Sequence, residues 1–79
     1  MSEAERGEMV RGMVARLAER LKQDGSDVEA WLRLVRAYVV LGERDKASEA
    51  VSNARQALAK DPDKVRRIED FAKSVGLSG

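Results

Sequence analysis

Helix-stopping residues punctuate this chain at intervals that leave room for one helix between stops and for little else. Gly25, Gly42, the pair Asp61-Pro62 and Gly76 are the breaks, and Gly and Pro are the residues with which helices most often end or restart. The first segment, 8–22, carries Met9, Val10, Met13, Val14, Leu17, Ala18 and Leu21 as a wide apolar stripe of helical period. Residues 1–7 (MSEAERG) lack that pattern and are expected to form a flexible lead-in. Gly25 is expected to cap this helix in the left-handed conformation. Ser26-Asp27-Val28-Glu29 then reads as a capping box opening a second helix, about 27–41. That segment holds Trp31, Leu32, Leu34, Val35, Ala37, Tyr38, Val39, Val40 and Leu41, with only Glu29, Arg33 and Arg36 interrupting. It must be covered on more than one side and is the expected centre of the domain. Its pair Val39-Val40 could pass for a strand, but the run has helical length and a stop at each end.

A third helix, about 45–60, is expected behind an Asp45 cap, with Ala47, Ala50, Val51, Ala54, Ala57 and Leu58 on one face. Those small residues allow another helix to come close. Asp61-Pro62 stops it and starts the last helix, about 62–75, because a first-turn proline has no bonded N–H to lose. There Val65, Ile68, Phe71, Ala72 and Val75 face inward, Gly76 caps, and Glu69 and Lys73 are spaced for an outer i,i+4 pair. The expected fold is all-α: about four antiparallel helices joined by short connections, with 8–79 as a single helical domain.

Composition closes off several function classes. Lys and Arg number 15 against 14 Asp and Glu, a net charge of +1, which lacks the basic excess of nucleic-acid binders. With no Cys and no His, disulfides, thiolate metal sites, Cys nucleophiles and most catalytic triads are unavailable. The carboxylate clusters Glu43/Asp45 and Asp61/Asp63 sit where helix caps and first-turn charges are needed. No nucleophile stands beside a base, no glycine-rich phosphate loop occurs, and no metal-ligand pattern is present. No catalytic residue, metal or cofactor is expected. There is no run of about 18 apolar residues and no targeting signal in the chain.

The helix–stop–helix pattern occurs twice. Laid over one another at an offset of 37, residues 20–35 and 57–72 match Leu21 with Leu58, Asp24 with Asp61, Val28 with Val65, Trp31 with Ile68 and Leu34 with Phe71. A fixed period of this size is the signature of a stacked helical repeat.

The residues that repeat also carry a resemblance. Trp31, Leu34, Tyr38, Ala47 and Ala54 stand at the spacing of W-x2-L-G-x2-Y…A…A, so the chain resembles a tetratricopeptide repeat. That implies antiparallel helical hairpins stacked as an α-α superhelix, with one clear repeat at 28–62 and flanking helices. Val35 replaces the usual small residue and Val51 the usual aromatic. The closing proline, due at Ala59, arrives at Pro62, a delay expected to lengthen the third helix by almost one turn. The phrase MVRGMVARLAERLKQDGSDVEAWLRLVRAYVVLGERDKA is more narrowly similar to the CcmI/CycH family, the apocytochrome-binding component of bacterial c-type cytochrome maturation. This resemblance implies a chaperone-like adaptor on the periplasmic side of a bacterial membrane that holds the C-terminal segment of apocytochrome c. The family's membrane part has no counterpart here. The chain then reads as an excised domain or as a stand-alone relative unable to anchor itself; outside the family, a cytoplasmic location is expected.

Ligand contacts in such repeats come from the inner face of the first helix of each hairpin. Carried over, that face is Glu29, Leu32, Arg36, Val39 and Val40. Leu32, Arg36 and Val39 form an i, i+4, i+7 stripe suited to an amphipathic peptide, with Arg36 free to meet a carboxylate. The alternative is that the last helix covers Val39 and Val40. Trp31 and Tyr38 are expected to be core wedges, and Arg33, Arg66 and Arg67 solvated charges, with Arg66 a candidate for the groove's rim. Met9 and Met13 are expected to pack on a neighbouring helix; the alternative is an adaptable binding surface, exposed where no preceding repeat covers it. Two further readings stand beside peptide binding: a structural or self-associating module, and nucleic-acid binding through the arginines, which the charge balance opposes.

Overall fold

The computed structural model describes residues 2–77, so Met1, Ser78 and Gly79 lie outside the described residues. Four helices follow in order: α1 (Glu3–Gln23), α2 (Val28–Val40), α3 (Arg44–Ala57) and α4 (Pro62–Ser74). Each is antiparallel to the one before it. α2 is central, packing against α1, α3 and α4, whereas α1 packs on α2 alone. The result measures 42 × 27 × 16 Å along its principal axes. At that thickness the core is a single layer of interlocking side chains, and every helix keeps an open face.

That core is the expected one in its main members. Val14 and Leu21 of α1, Trp31, Leu34 and Val35 of α2, Ala47, Ala50, Val51 and Ala54 of α3, and Ile68 and Ala72 of α4 are buried in one cluster with Leu58 and Leu77. Among the described residues no polar side chain belongs to it. Met9 and Met13 depart from expectation: they are 47% and 58% exposed, because no described helix lies on their side of α1.

The helix ends differ from the sequence reading in instructive ways. α1 starts five residues earlier than its apolar stripe, so residues 3–7 of the expected lead-in are helical. Ser2 accepts from the Glu5 amide (3.2 Å) while its hydroxyl donates to the Glu5 carboxylate (3.1 Å), a capping pair that the search for apolar periodicity passes over. Asp27, not Ser26, caps α2, its carboxylate accepting from the Ala30 amide at 3.3 Å. The Ser26 hydroxyl instead donates to Asp24 (2.7 Å), as does its amide (3.2 Å). These two bonds hold the exposed Asp24 carboxyl below the ordinary value. Asp45 is not a cap either. Glu43 occupies that place without a side-chain bond, and Asp45 adds its charge to the first turn. α4 opens as expected, with Asp61 capping through the Lys64 amide and Pro62 in the first turn. Glu69 does not pair with Lys73; it turns to Arg55 of α3, at 3.8 Å.

Glycine has two separate roles. Gly42 and Gly76 take the left-handed conformation (φ 76° and 78°). Beyond each, the next amide reaches back five residues, Glu43 to the Tyr38 carbonyl (2.9 Å) and Leu77 to that of Ala72 (2.7 Å), closing the helices as Schellman motifs. Arg44 braces the second of these, donating to the carbonyls of Val75 (3.1 Å) and Gly76 (2.9 Å). Gly25, expected to act likewise, does not have a positive φ. It is glycine for want of space: a Cβ there would lie 2.7 Å from the Ala57 Cβ. The Gly25 carbonyl accepts the Trp31 indole N–H at 2.9 Å, pinning the α1–α2 connection over the core.

Backbone spacing corrects the period. Val28 and Pro62 open α2 and α4, Val40 and Ser74 close them, and Gln23 and Ala57 close α1 and α3, each pair 34 residues apart. The side-chain offset of 37 remains because α4 starts one turn earlier in its apolar pattern. The late proline does not lengthen α3, which ends at Ala57; the connection 58–61 is as long as 24–27, with a turn at 58–60.

These two glycine roles predict different rescue behaviour. Gly25→Ala is expected to cost about 1–3 kcal/mol by overpacking, and Ala57→Gly in the same chain should recover much of it. Gly42→Ala should cost about 1 kcal/mol through its backbone angle, with no recovery from Ala57→Gly. Urea midpoints of the five variants measure the coupling.

Candidate functional site

α2 and α4 pack against each other with their N-terminal ends tied together. Arg67 of α4 pairs with Glu29 of α2, and the Lys64 ammonium donates to the Ser26 carbonyl at 3.1 Å. Arg67 is exposed, in keeping with the solvated charge expected of it, and the pair also ties α4 to α2. Both of its groups are about half exposed, so the bond adds little stability by itself; its consequence is alignment.

The structure divides the five candidate residues into three groups. Glu29 is exposed and engaged with Arg67. Leu32 and Val39 are half-buried and pack against the core. Arg36 is exposed and, among the described residues, has no carboxylate partner. Val40 is 78% exposed, so the last helix does not cover it. Leu32 and Val39 therefore give a shallow apolar floor, with Arg36 and Val40 on the open surface beside it. Arg66, the candidate for the groove's rim, is also exposed.

Residues assigned to the fold behave differently. Trp31, Leu34, Ala47 and Ala54 are buried, and Pro62 begins α4. Tyr38 is only half-buried, because it lines the opposite side of α2. There α1 and α3 stand apart and leave a groove of about 240 Å³. Its floor is Trp31, Leu34 and Tyr38, and Lys22, Lys46, Glu49 and Asn53 line its rim. Sequence reasoning missed this groove, since helical period shows which residues turn inward but not that two helices fail to meet. Burial, with Glu43 and Glu49 nearby, raises the Tyr38 phenol above its ordinary value.

Among the described residues there is no group of three or more His, Cys, Asp or Glu able to hold a metal ion. No described helix is long and apolar enough to cross a membrane.

Comparison with known proteins agrees with this architecture. Residues 14–69 match the tetratricopeptide repeat family, and the chain belongs to that family. Over all of its 79 residues it is 62% identical to the cytochrome c-type biogenesis protein CycH of Bradyrhizobium diazoefficiens. Over 77 residues it is 39% identical to the protein of the same name from Rhizobium meliloti. The chain spans about one fifth of the length of these relatives, 21% and 20%. No solved structure matched.

Tyr38 predicts an alkaline limb of stability. Its pKa is raised on folding, so its contribution is complete below the unfolded value near 10 and is lost as pH rises through the folded one. With no His or Cys side chain to titrate near neutrality, urea midpoints should be nearly flat there and fall above about pH 10. Tyr38→Phe should flatten that fall. Tyr38 is the sole tyrosine, so its absorbance titration reports the shift directly.

Proposed function

We propose that this chain is a non-catalytic peptide-binding module acting in c-type cytochrome biogenesis, and that its inner face holds a segment of apocytochrome c, the C-terminal segment first among candidates. The observation that carries this reading is the open apolar-and-arginine strip on α2: Arg36 and Val40 uncovered beside half-buried Leu32 and Val39. Such a strip suits an amphipathic segment whose apolar side settles on Leu32, Val39 and Val40 while a carboxylate or a helix C-terminus meets Arg36. The 62% identity to CycH over the whole chain supports the biological setting, and with it a periplasmic location at a bacterial membrane. The helical pairs are already packed, so little ordering cost falls on this partner.

A second reading, a structural or self-associating module within a larger repeat assembly, is favoured by the exposed Met9 and Met13. It predicts a sedimentation coefficient that rises with concentration and no retained peptide. Nucleic-acid binding is not proposed, in keeping with the charge balance.

Titration with C-terminal apocytochrome c peptides, followed by amide shift mapping, tests the leading reading. Shifts are expected around Leu32, Arg36 and Val40. Arg36→Glu with Val40→Ser should weaken binding about tenfold or more without loss of helicity, because both side chains are exposed. Unchanged affinity in that variant would remove the groove from consideration.

A further inference from the structure

Two helix ends of this fold are built alike and held differently. α2 closes on Gly42 and α4 on Gly76, and the two ends carry matching backbone bonds. In one, Gly42 donates to Val39 and Glu43 to Tyr38; in the other, Gly76 donates to Lys73 and Leu77 to Ala72. Only the α4 end, among the described residues, also receives a side chain from another helix. Nη2 of Arg44 donates to both the Val75 and the Gly76 carbonyl, at 3.1 and 2.9 Å. Thirty-four residues before Arg44 stands Val10, an apolar side chain packed against the core. No described side chain donates to the carbonyl of Leu41 or Gly42. The α2 end thus closes without a cation, and Arg44 is not needed to terminate α4.

Nor does Arg44 serve the helix it belongs to. It is the first residue of α3, where the helix dipole disfavours a cation. Its neighbours Glu43 and Asp45 are carboxylates, yet among the described residues it pairs with neither. Glu43 is taken by Arg11 and Lys46. What remains is position. Burial of Ala72 and Leu77 holds the end of α4 to the core, but apolar burial has no direction. Two hydrogen bonds from one nitrogen do, and they fix where the carbonyls stand. α2 and α4 run the same way, so this end of α4 lies at the same end of the fold as Val39 and Val40. Lys64 and Arg67 fasten the opposite end to Ser26 and Glu29, so α4 is tied at both ends by polar bonds between helices.

We infer that Arg44 is a positioning residue for the Leu32–Arg36–Val39–Val40 strip, a role that rests on the peptide-binding reading of that strip. By fastening the last turn of α4 to the start of α3, it sets how wide the strip stands open beside Val39 and Val40. A peptide segment is then held more or less well according to a side chain that does not touch it. Arg44 is exposed and its two bonds lie at the surface, so they contribute modestly to stability. Their loss is read in geometry and affinity more than in unfolding.

Two substitutions separate the donors from the stem. Arg44→Met keeps an apolar stem and removes the donors, whereas Arg44→Lys returns a cation with three of them. The chain has no cysteine, so nitroxide labels at Val40→Cys and Lys73→Cys, both exposed positions, report the separation of the two helix ends with no peptide present. Arg44→Met should broaden and lengthen that distance distribution, and Arg44→Lys should restore most of it. In the unlabelled chain, Arg44→Met should weaken binding of the C-terminal apocytochrome c peptide about three- to tenfold. Arg44→Lys should bind nearly as the parent does, and the urea midpoints of all three chains should nearly coincide. A methionine variant with the parent's distances, or one with altered distances and the parent's affinity, would overturn the inference. So would an affinity loss that lysine fails to rescue. A parent chain that binds no peptide, while the distances still answer to Arg44, would remove the apocytochrome reading and leave the placement of α4 by Arg44 standing.

Discussion

The seating of Trp31 against the Gly25 connection decides how the helices can stack. The indole is buried among α1, α2 and α3 and spends its one polar atom on the Gly25 carbonyl, so a large aromatic enters the core with no unmet hydrogen bond. That bond draws the connection down onto the end of α3 until Gly25 is too close to Ala57 for any side chain. Two links of the chain, α1 to α2 and α2 to α3, are thus fixed by one residue. α2 becomes the axis on which the others turn, and α4 needs only to close over α2 and α3 to complete the enclosure. The all-apolar core follows, since a layer this thin has no depth in which to hide a polar group.

Much of this was legible in the residues because it depends on local rules. Apolar period located four helices, Asp61-Pro62 announced α4, and Gly42 and Gly76 behaved as helix-closing glycines behave. The misreadings have a common physical origin: several residues in one short stretch could do the same job. Ser26 and Asp27 both suit a cap, and the extended connection presents the Asp27 side chain to the amides while Ser26 bends back to Asp24. Gly25 looks like a conformational glycine because sequence shows flexibility but not crowding. The 37-residue offset came from side-chain pattern, the 34-residue spacing from backbone. They differ because the proline start opens α4 three residues before Val65, whereas α2 opens at Val28 itself.

The inner strip was legible in its chemistry and less so in its depth. Helical arithmetic placed Leu32, Arg36 and Val39 on one side of α2, but how far α4 leans over them is a matter of tertiary packing. α4, packed on α2 and α3 and paired through Arg67 with Glu29, leaves Leu32 and Val39 half-covered while Val40 stays open. No local signal in either helix announces a partner 38 residues away. The same limit hid the groove between α1 and α3, which exists because two helices both prefer α2 to one another.

The lone attachment of α1 has a mechanical outcome. At 21 residues it is about 12 Å longer than the 13-residue α2 beside it; Val10 is its first side chain to pack against the core, and the adjacent Arg11 pairs with Glu43 at the start of α3. Among the described residues, the stretch before Val10 is held by its own backbone bonds and the Ser2 cap. Warming should therefore open this stretch locally, ahead of the cooperative loss of the core that Val14 and Leu21 share with the other helices.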